Sequence, residues 1–226
     1  MTIDVARVVW KPSWRIIPSR FPPIHLFERV AAPEDWEALI EVESLTNPRL
    51  RQEAGDISLV PVEERISGPG TSVIMAAFTH LNPAGSRFTD GTYGVFYTSP
   101  NLETAIAETK HHRERFMRET NEEPLHLDMR VYLTDLDAEL HDIRGQQSEH
   151  ALVYHPENYA AAQHLARTLR ADGSNGIVYS SVRRQDSECA AVFRPRLLSN
   201  CVQERHLSYV WDGTKIRDIY EKKALD

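Results

Sequence analysis

The stretch SRFTDGTYGVFYTSPNLETAIAETKHH, residues 86–112, changes pattern twice and decides how the chain is read. It opens polar and glycine-containing, turns apolar and aromatic, and then takes on the period of a helix. Thr92 to Thr98 reads as a strand, with Val95 and Tyr97 on one face and Phe96 on the other. Ser99-Pro100-Asn101 reads as a turn with Asn101 as an N-cap, and Leu102 to about Thr120 reads as a helix. Ala105, Ile106, Thr109, His112 and Phe116 supply its inward stripe, which Glu108 flanks three residues after Ala105 and four before His112. Arg87, Tyr97 and Glu108, spaced ten and then eleven residues apart, thus fall on one strand–turn–helix unit suited to holding a small ligand.

Upstream, Val5 to Trp10 and His25 to Ala31 are β-type runs, and the prolines between them argue against one continuous element. A helix start follows at Pro33, Glu34 and Asp35, continuing through Trp36, Leu39, Ile40, Val42 and Leu45 to Asn47-Pro48. Leu50 to Ser67 carries mixed signals, and SVIMAAFTHL reads as a buried helix closed by Asn82-Pro83. Downstream, Leu125 to Leu133 and Ala138 to Ile143 read as two strands, and Pro156 to Ala171 as a helix. Ile177 to Tyr179 enters a strand that ends at Ser180-Ser181, and Cys189 to Phe193 is another. Asp212-Gly213 between His206–Trp211 and Thr214–Tyr220 is the strongest hairpin signal in the chain. With no internal repeat or linker, the 226 residues predict one compact α+β domain with a mixed, strongly twisted β core flanked by helices. Within it, about 1–24 form an N-terminal extension and about 32–84 an inserted helical segment.

The formal net charge of −7 argues against broad nucleic-acid or anionic-membrane binding, which needs an excess of Lys and Arg. Arginine outnumbers lysine, so planar recognition of phosphate or carboxylate is available. The two cysteines, Cys189 and Cys201, define neither a disulfide framework nor a CxxC motif. No signal-peptide pattern opens the sequence and no apolar run approaches the ~20 residues of a membrane span, so a cytoplasmic, reduced protein is expected.

Glu108 with His111 or His112 raises a metal reading, but the HExxH arrangement and a second ligand motif are both absent, so no metal is expected. Neither GxSxG, GxGxxG nor GxxxxGK[ST] occurs. Taken singly, Arg29 and Arg87 read most simply as solvated or ion-paired, and Ser180 and Ser181 as turn serines. Cys189 reads most simply as a small core residue.

In chain order, however, FERV at 27–30, SRFTDGTYGVFYTS at 86–99, ETAIAETKHH at 103–112, GIVYSSVRRQDSECAAVFRP at 176–195 and YVWDG at 209–213 together resemble the RES domain, named for its Arg, Glu and Ser. The resemblance assigns the family's arginines to Arg29 and Arg87, its tyrosine to Tyr97, its glutamate to Glu108 and its serine to Ser181. Ser180 stands where the family often has proline, so either hydroxyl can occupy the site. RES proteins are similar to toxins of toxin–antitoxin pairs that consume NAD+, with a core resembling a reduced ADP-ribosyltransferase fold. The resemblance implies NAD+ as substrate, no other cofactor, cleavage of the nicotinamide–ribose bond, and a protein antitoxin that blocks the site. In that scheme Glu108 binds a ribose hydroxyl, and Tyr97 with Tyr93 packs the nicotinamide ring. Arg29 and Arg87 clamp the pyrophosphate, and Ser180 or Ser181 orients a hydroxyl, a phosphate or the acceptor. Phosphate, water or a protein side chain remains open as acceptor. A non-catalytic module binding a nucleotide or a protein is the alternative from another class.

Overall fold

The computed structural model describes residues 3–19, 33–38, 40–41 and 55–225. Its centre is a seven-stranded, mostly antiparallel twisted sheet, and the fold is mixed α and β in a single domain. The strands are β1 (Val5–Pro18), β2 (Phe96–Thr98), β3 (Leu125–Asp142), β4 (Gly176–Ser180), β5 (Glu188–Val192), β6 (Leu198–Trp211) and β7 (Ile216–Lys222). They run in the order β2-β5-β4-β3-β6-β7, with β1 also on β3. Among the described residues only β3 and β4 pair in parallel, and the connection between them carries the helix α3 (Ala160–Ala171). The helices α1 (Thr71–Thr79) and α2 (Leu102–Glu119) also pack against the sheet.

Strand alternation sorts the core onto two faces. Leu136, Ala138 and Leu140 of β3, Val178 of β4 and Ala190 and Val192 of β5 pack with Ile74, Met75 and Phe78 of α1. On the other face, Met129 and Val131 of β3 meet Ala105 and Met117 of α2, while Ile177, Tyr179, Cys189 and Ala191 meet Ala162 and Ala166 of α3. Glycine permits the close approach of α1. A Cβ on Gly94 would stand 2.3 Å from the Ala77 carbonyl oxygen and the Phe78 Cα, so nothing larger fits between helix and strand. Gly70, at φ +77, supplies the left-handed residue from which α1 begins.

Several elements differ from their sequence reading. Val5 to Pro18 is one strand rather than a short run broken by prolines, because a register shift between Trp10 and Ser13 accommodates Pro12, which has no N–H. Of the segment expected as an extension, Val5–Pro18 pairs with β3 in the sheet. Leu125 to Asp142 is one 18-residue strand instead of two, held by β1 on one edge and β6 on the other, with irregularities near Val131 and Leu133 absorbing the break. β2 is shorter than predicted. Thr92 N–H and Oγ1 both donate to Asp90 Oδ1, at 3.1 and 2.6 Å, and this turn replaces the first half of the expected strand. α3 starts at Ala160, four residues later than expected from Pro156. The helix expected from Pro33 does start there, as a 3-10 turn over Pro33–Asp35 that continues as α-helix at 36–38 and 40–41; the run His25 to Ala31 and the helix end at Asn47-Pro48 lie outside the described residues. The β6–β7 hairpin forms where predicted, with Asp212 Oδ1 accepting from Thr214 N and Lys215 N, both at 2.9 Å.

One contact bends the sheet round on itself. Trp14 N–H donates to Ser99 O at 2.7 Å, and Ser99 N–H returns to Trp14 O at 3.1 Å. This bridge brings the middle of β1 against the end of β2, and the cavity described next lies beside it.

Candidate active site

A cavity of about 1500 Å³ opens between β1, α1, α2 and the 157–163 segment. Arg87, Tyr97 and Glu108 line it, as the strand–turn–helix reading requires. α2 delivers Glu108 from its second turn. Asn101 Oδ1 accepts from Thr104 N–H at 2.9 Å, an N-cap contributing about 1 kcal/mol. Arg184 Nη1 donates to the same Oδ1 at 3.0 Å and to Thr104 Oγ1 at 3.2 Å, fastening the start of α2 to the β4–β5 connection.

That connection carries Ser181. Its Oγ donates to Glu108 Oε1 at 2.7 Å and accepts from the backbone N–H groups of Arg183 and Arg184, both at 3.1 Å. The polarised hydroxyl and the carboxylate make a charge-assisted bond. Cys189 Sγ lies 3.7 Å from the same Oε1. Three carboxylates line the cavity, and two have cationic partners: Glu157 with Arg183 at 3.5 Å and Glu119 with Arg115 at 2.7 Å. Glu108 has no basic partner within 4 Å among the described residues.

The two serines divide. Ser181 meets Glu108, whereas Ser180 Oγ accepts from Gly145 N–H at 3.1 Å and its own N–H donates to Tyr154 Oη at 3.2 Å. Alternation along the strand end turns them to opposite sides, and Ser180 is withdrawn from the cavity wall. Ser181 itself reaches the cavity through Glu108 rather than lining it.

Tyr97 presents its ring while its hydroxyl is occupied. Oη is 2.7 Å from Ser86 Oγ and accepts from Phe88 N–H at 2.9 Å. Burial pushes its pKa well above the ordinary phenol value, so it stays protonated. Tyr93, expected beside it, faces the core. Its hydroxyl donates to Phe88 O at 2.8 Å, its ring stands edge-on to Phe193 with centroids 6.2 Å apart, and the Arg170 guanidinium covers it at 4.6 Å. Tyr93 precedes β2 and lies in a bend, so it does not stand beside Tyr97 on the strand.

Arg87 is 6% exposed and anchored by one arm: Nη1 donates to Val153 O at 2.9 Å and His155 O at 3.0 Å, and the guanidinium stacks over Tyr159 at 4.7 Å. Arg29 lies outside the described residues. A further cavity arginine comes from β1 and was not singled out in the sequence. Arg15 Nη1 donates to Tyr97 O at 2.9 Å, and its guanidinium lies 4.3 Å from the Phe96 ring centroid. Its Nε is buried without a hydrogen-bond partner, and burial lowers its pKa to about 10, which leaves it charged at neutral pH. The signal was present as a single charge inside the alternating run Trp14-Arg15-Ile16-Ile17, hidden by the prolines at 12 and 18.

Comparison with known proteins finds one family. The RES domain model matches residues 63–212. The uncharacterized protein y4oC of Sinorhizobium fredii (strain NBRC 101917 / NGR234) is 32% identical over 211 residues, covering 92% of this chain and 86% of that protein. Among solved structures, the M. tuberculosis MbcT-MbcA toxin-antitoxin complex aligns at a TM-score of 0.47 and 8% identity, over 88% of this chain and 86% of that one. The family match runs from before α1 to the end of β6 and includes Arg87, Tyr97, Glu108 and Ser181: the chain belongs to the RES domain family.

Proposed function

We propose that this protein is an NAD+-consuming toxin that cleaves the nicotinamide–ribose bond, with Glu108 as the catalytic carboxylate. One observation carries the reading. The only cavity carboxylate without a basic partner among the described residues shares the wall with two arginines, Arg15 and Arg87, that have no carboxylate within 4 Å there. A buried cation without a counter-charge is costly, and an anionic ligand relieves it. A pyrophosphate meets that need through charge-assisted donors. The cavity also exceeds the roughly 300–1,000 Å³ of ordinary small-molecule sites, which leaves room for a dinucleotide.

The chemistry suits a single carboxylate. Nicotinamide leaves a cationic nitrogen as a neutral molecule, so no general acid is needed, unlike an O-glycoside whose leaving oxygen must be protonated. Glu108 accepts a hydroxyl of the nicotinamide ribose and stabilises the positive charge that grows on that ring as the C–N bond breaks. Ser181 holds the carboxylate. The Tyr97 ring packs against the nicotinamide, and Arg15 and Arg87 fix the pyrophosphate so that the reacting carbon stays beside Glu108. Phosphate then adds to that carbon to give ADP-ribose 1″-phosphate; water in its place gives ADP-ribose and a proton. Such an activity harms the cell that makes it, so a protein antitoxin covering the cavity mouth belongs to the same reading, as does action in the cytoplasm. Among the described residues no helix is long and apolar enough to cross a membrane.

Incubation of the purified protein with NAD+, with and without phosphate, tests this by mass spectrometry of the products. A phosphorylated ADP-ribose that requires phosphate identifies the acceptor. An ADP-ribosylated protein without bulk NAD+ loss moves the assignment to a mono-ADP-ribosyltransferase. Saturable NAD+ binding with no turnover leaves a non-catalytic nucleotide-binding module.

A further inference from the structure

The wall beside Glu108 also carries a thiol to which the proposed reaction gives no part. Cys189 stands opposite Tyr179 in the β4–β5 pair, is 3% exposed and borders the cavity. Its Sγ is 3.7 Å from Glu108 Oε1, the oxygen that already takes the Ser181 hydroxyl at 2.7 Å. Burial, reinforced by the charge of Glu108, pushes the thiol well above its usual pKa, so it remains an S–H donor at neutral pH. A carboxylate oxygen has two lone pairs. With Ser181 and Cys189 both directed at Oε1, that oxygen is saturated from within the protein.

We propose that Cys189 is a positioning residue whose S–H is the second donor to Oε1 of Glu108, leaving Oε2 as the single oxygen presented to the ligand. The consequence is orientation. A carboxylate held by one donor can pivot about it, whereas two donors from β5 and from the β4–β5 connection fix the carboxylate plane. The role in turnover rests on the function proposed above; the hydrogen bond does not.

Two measurements separate the two. The chain has only 2 cysteines, so the infrared S–H stretch contains one band from Cys189 and one from Cys201, assigned with Cys189→Ala. The Cys189 band is expected at lower frequency than an unbonded thiol and should move up in Glu108→Ala, with the Cys201 band unchanged. A Cys189 band that ignores Glu108→Ala overturns the proposal whether or not the protein consumes NAD+. In turnover, Cys189→Ala should lower kcat about fivefold at constant KM for NAD+, the loss expected for one modest hydrogen bond. Cys189→Val, which restores volume without a donor, should not recover it. Wild-type kcat in either variant overturns the positioning role. A wild-type protein without NAD+ turnover overturns the proposed function instead, and the infrared band still decides the bond.

Discussion

The two walls of the cavity differ in how far the protein satisfies its own charges. On the α2 side, Glu108 receives Ser181 at 2.7 Å and Cys189 at 3.7 Å, and the α2 start is fastened by Asn101 and Arg184. On the β1 side, Arg15 makes one hydrogen bond to a backbone carbonyl, stacks on Phe96, and keeps its Nε unpartnered. A carboxylate supplied with donors is ready to work in one orientation, while a buried cation left short of acceptors is ready to bind. Under the proposed function, catalytic and binding duties are divided between a helix and a strand that lie far apart in sequence.

Glu108→Gln is the most direct way to break the α2 wall. The amide oxygen still accepts from Ser181, so the melting temperature should hold while NAD+ consumption falls by roughly 10²–10³-fold, the scale seen on removal of one preorganised electrostatic group. Undiminished turnover would remove Glu108 from the chemistry. Arg15→Met probes the opposite wall and should separate affinity from stability. On the Glu108→Gln background, where NAD+ consumption is expected to be slow, calorimetric titration should show Kd rising about tenfold or more, from loss of a charge-assisted contact. Thermal melting of the same protein should show no loss, or a gain, because an unpaired buried charge has been replaced by an apolar chain. Lower stability with unchanged Kd would make Arg15 a structural residue.

Tyr97→Phe keeps the ring on the cavity wall but leaves Ser86 Oγ and Phe88 N–H without their shared partner. Denaturant unfolding should register a loss of about 1–3 kcal/mol, with a smaller effect on NAD+ affinity than Arg15→Met. The smallest change is expected at Asp90, in the turn before β2. Hydrogen bonds from Thr92 and then Arg167 hold its pKa at about 2, below the usual 3.8. The native state therefore favours the carboxylate, and Asp90 contributes stability that is complete above the usual value and is lost as pH falls through about 2. Asp90→Asn should flatten the acid limb of the melting-temperature profile between pH about 5 and about 2; an unaltered limb would show that the turn does not depend on the ionised group.

Most of the α2 wall was legible in the sequence because its signals are local or ordered along the chain. The Asn101 cap, the helical stripe from Ala105 to Phe116 and the run Ile177 to Tyr179 follow from periodicity and turn chemistry within a few residues. Arg87, Tyr97, Glu108 and Ser181 were found through their order, and three of them line the cavity. The β1 wall was not legible. Pro12 and Pro18 argue locally against a strand, and only pairing with β3, from Val5↔His141 to Pro18↔Met129, supplies the hydrogen bonds that outweigh them.

What the sequence determined by itself was the class of fold, the helix that bears Glu108, and a short set of candidate residues. Tertiary structure alone decided which of them meet. It chose Ser181 over Ser180, turned Tyr93 into the core, and seated Cys189 against Glu108. It also brought Arg15 to Tyr97 across 82 residues of chain. The reason is physical: periodicity tells a side chain which face of its own element it occupies, but the group across from that face is set by strand register and by the Trp14–Ser99 bridge, and neither is encoded within a few residues.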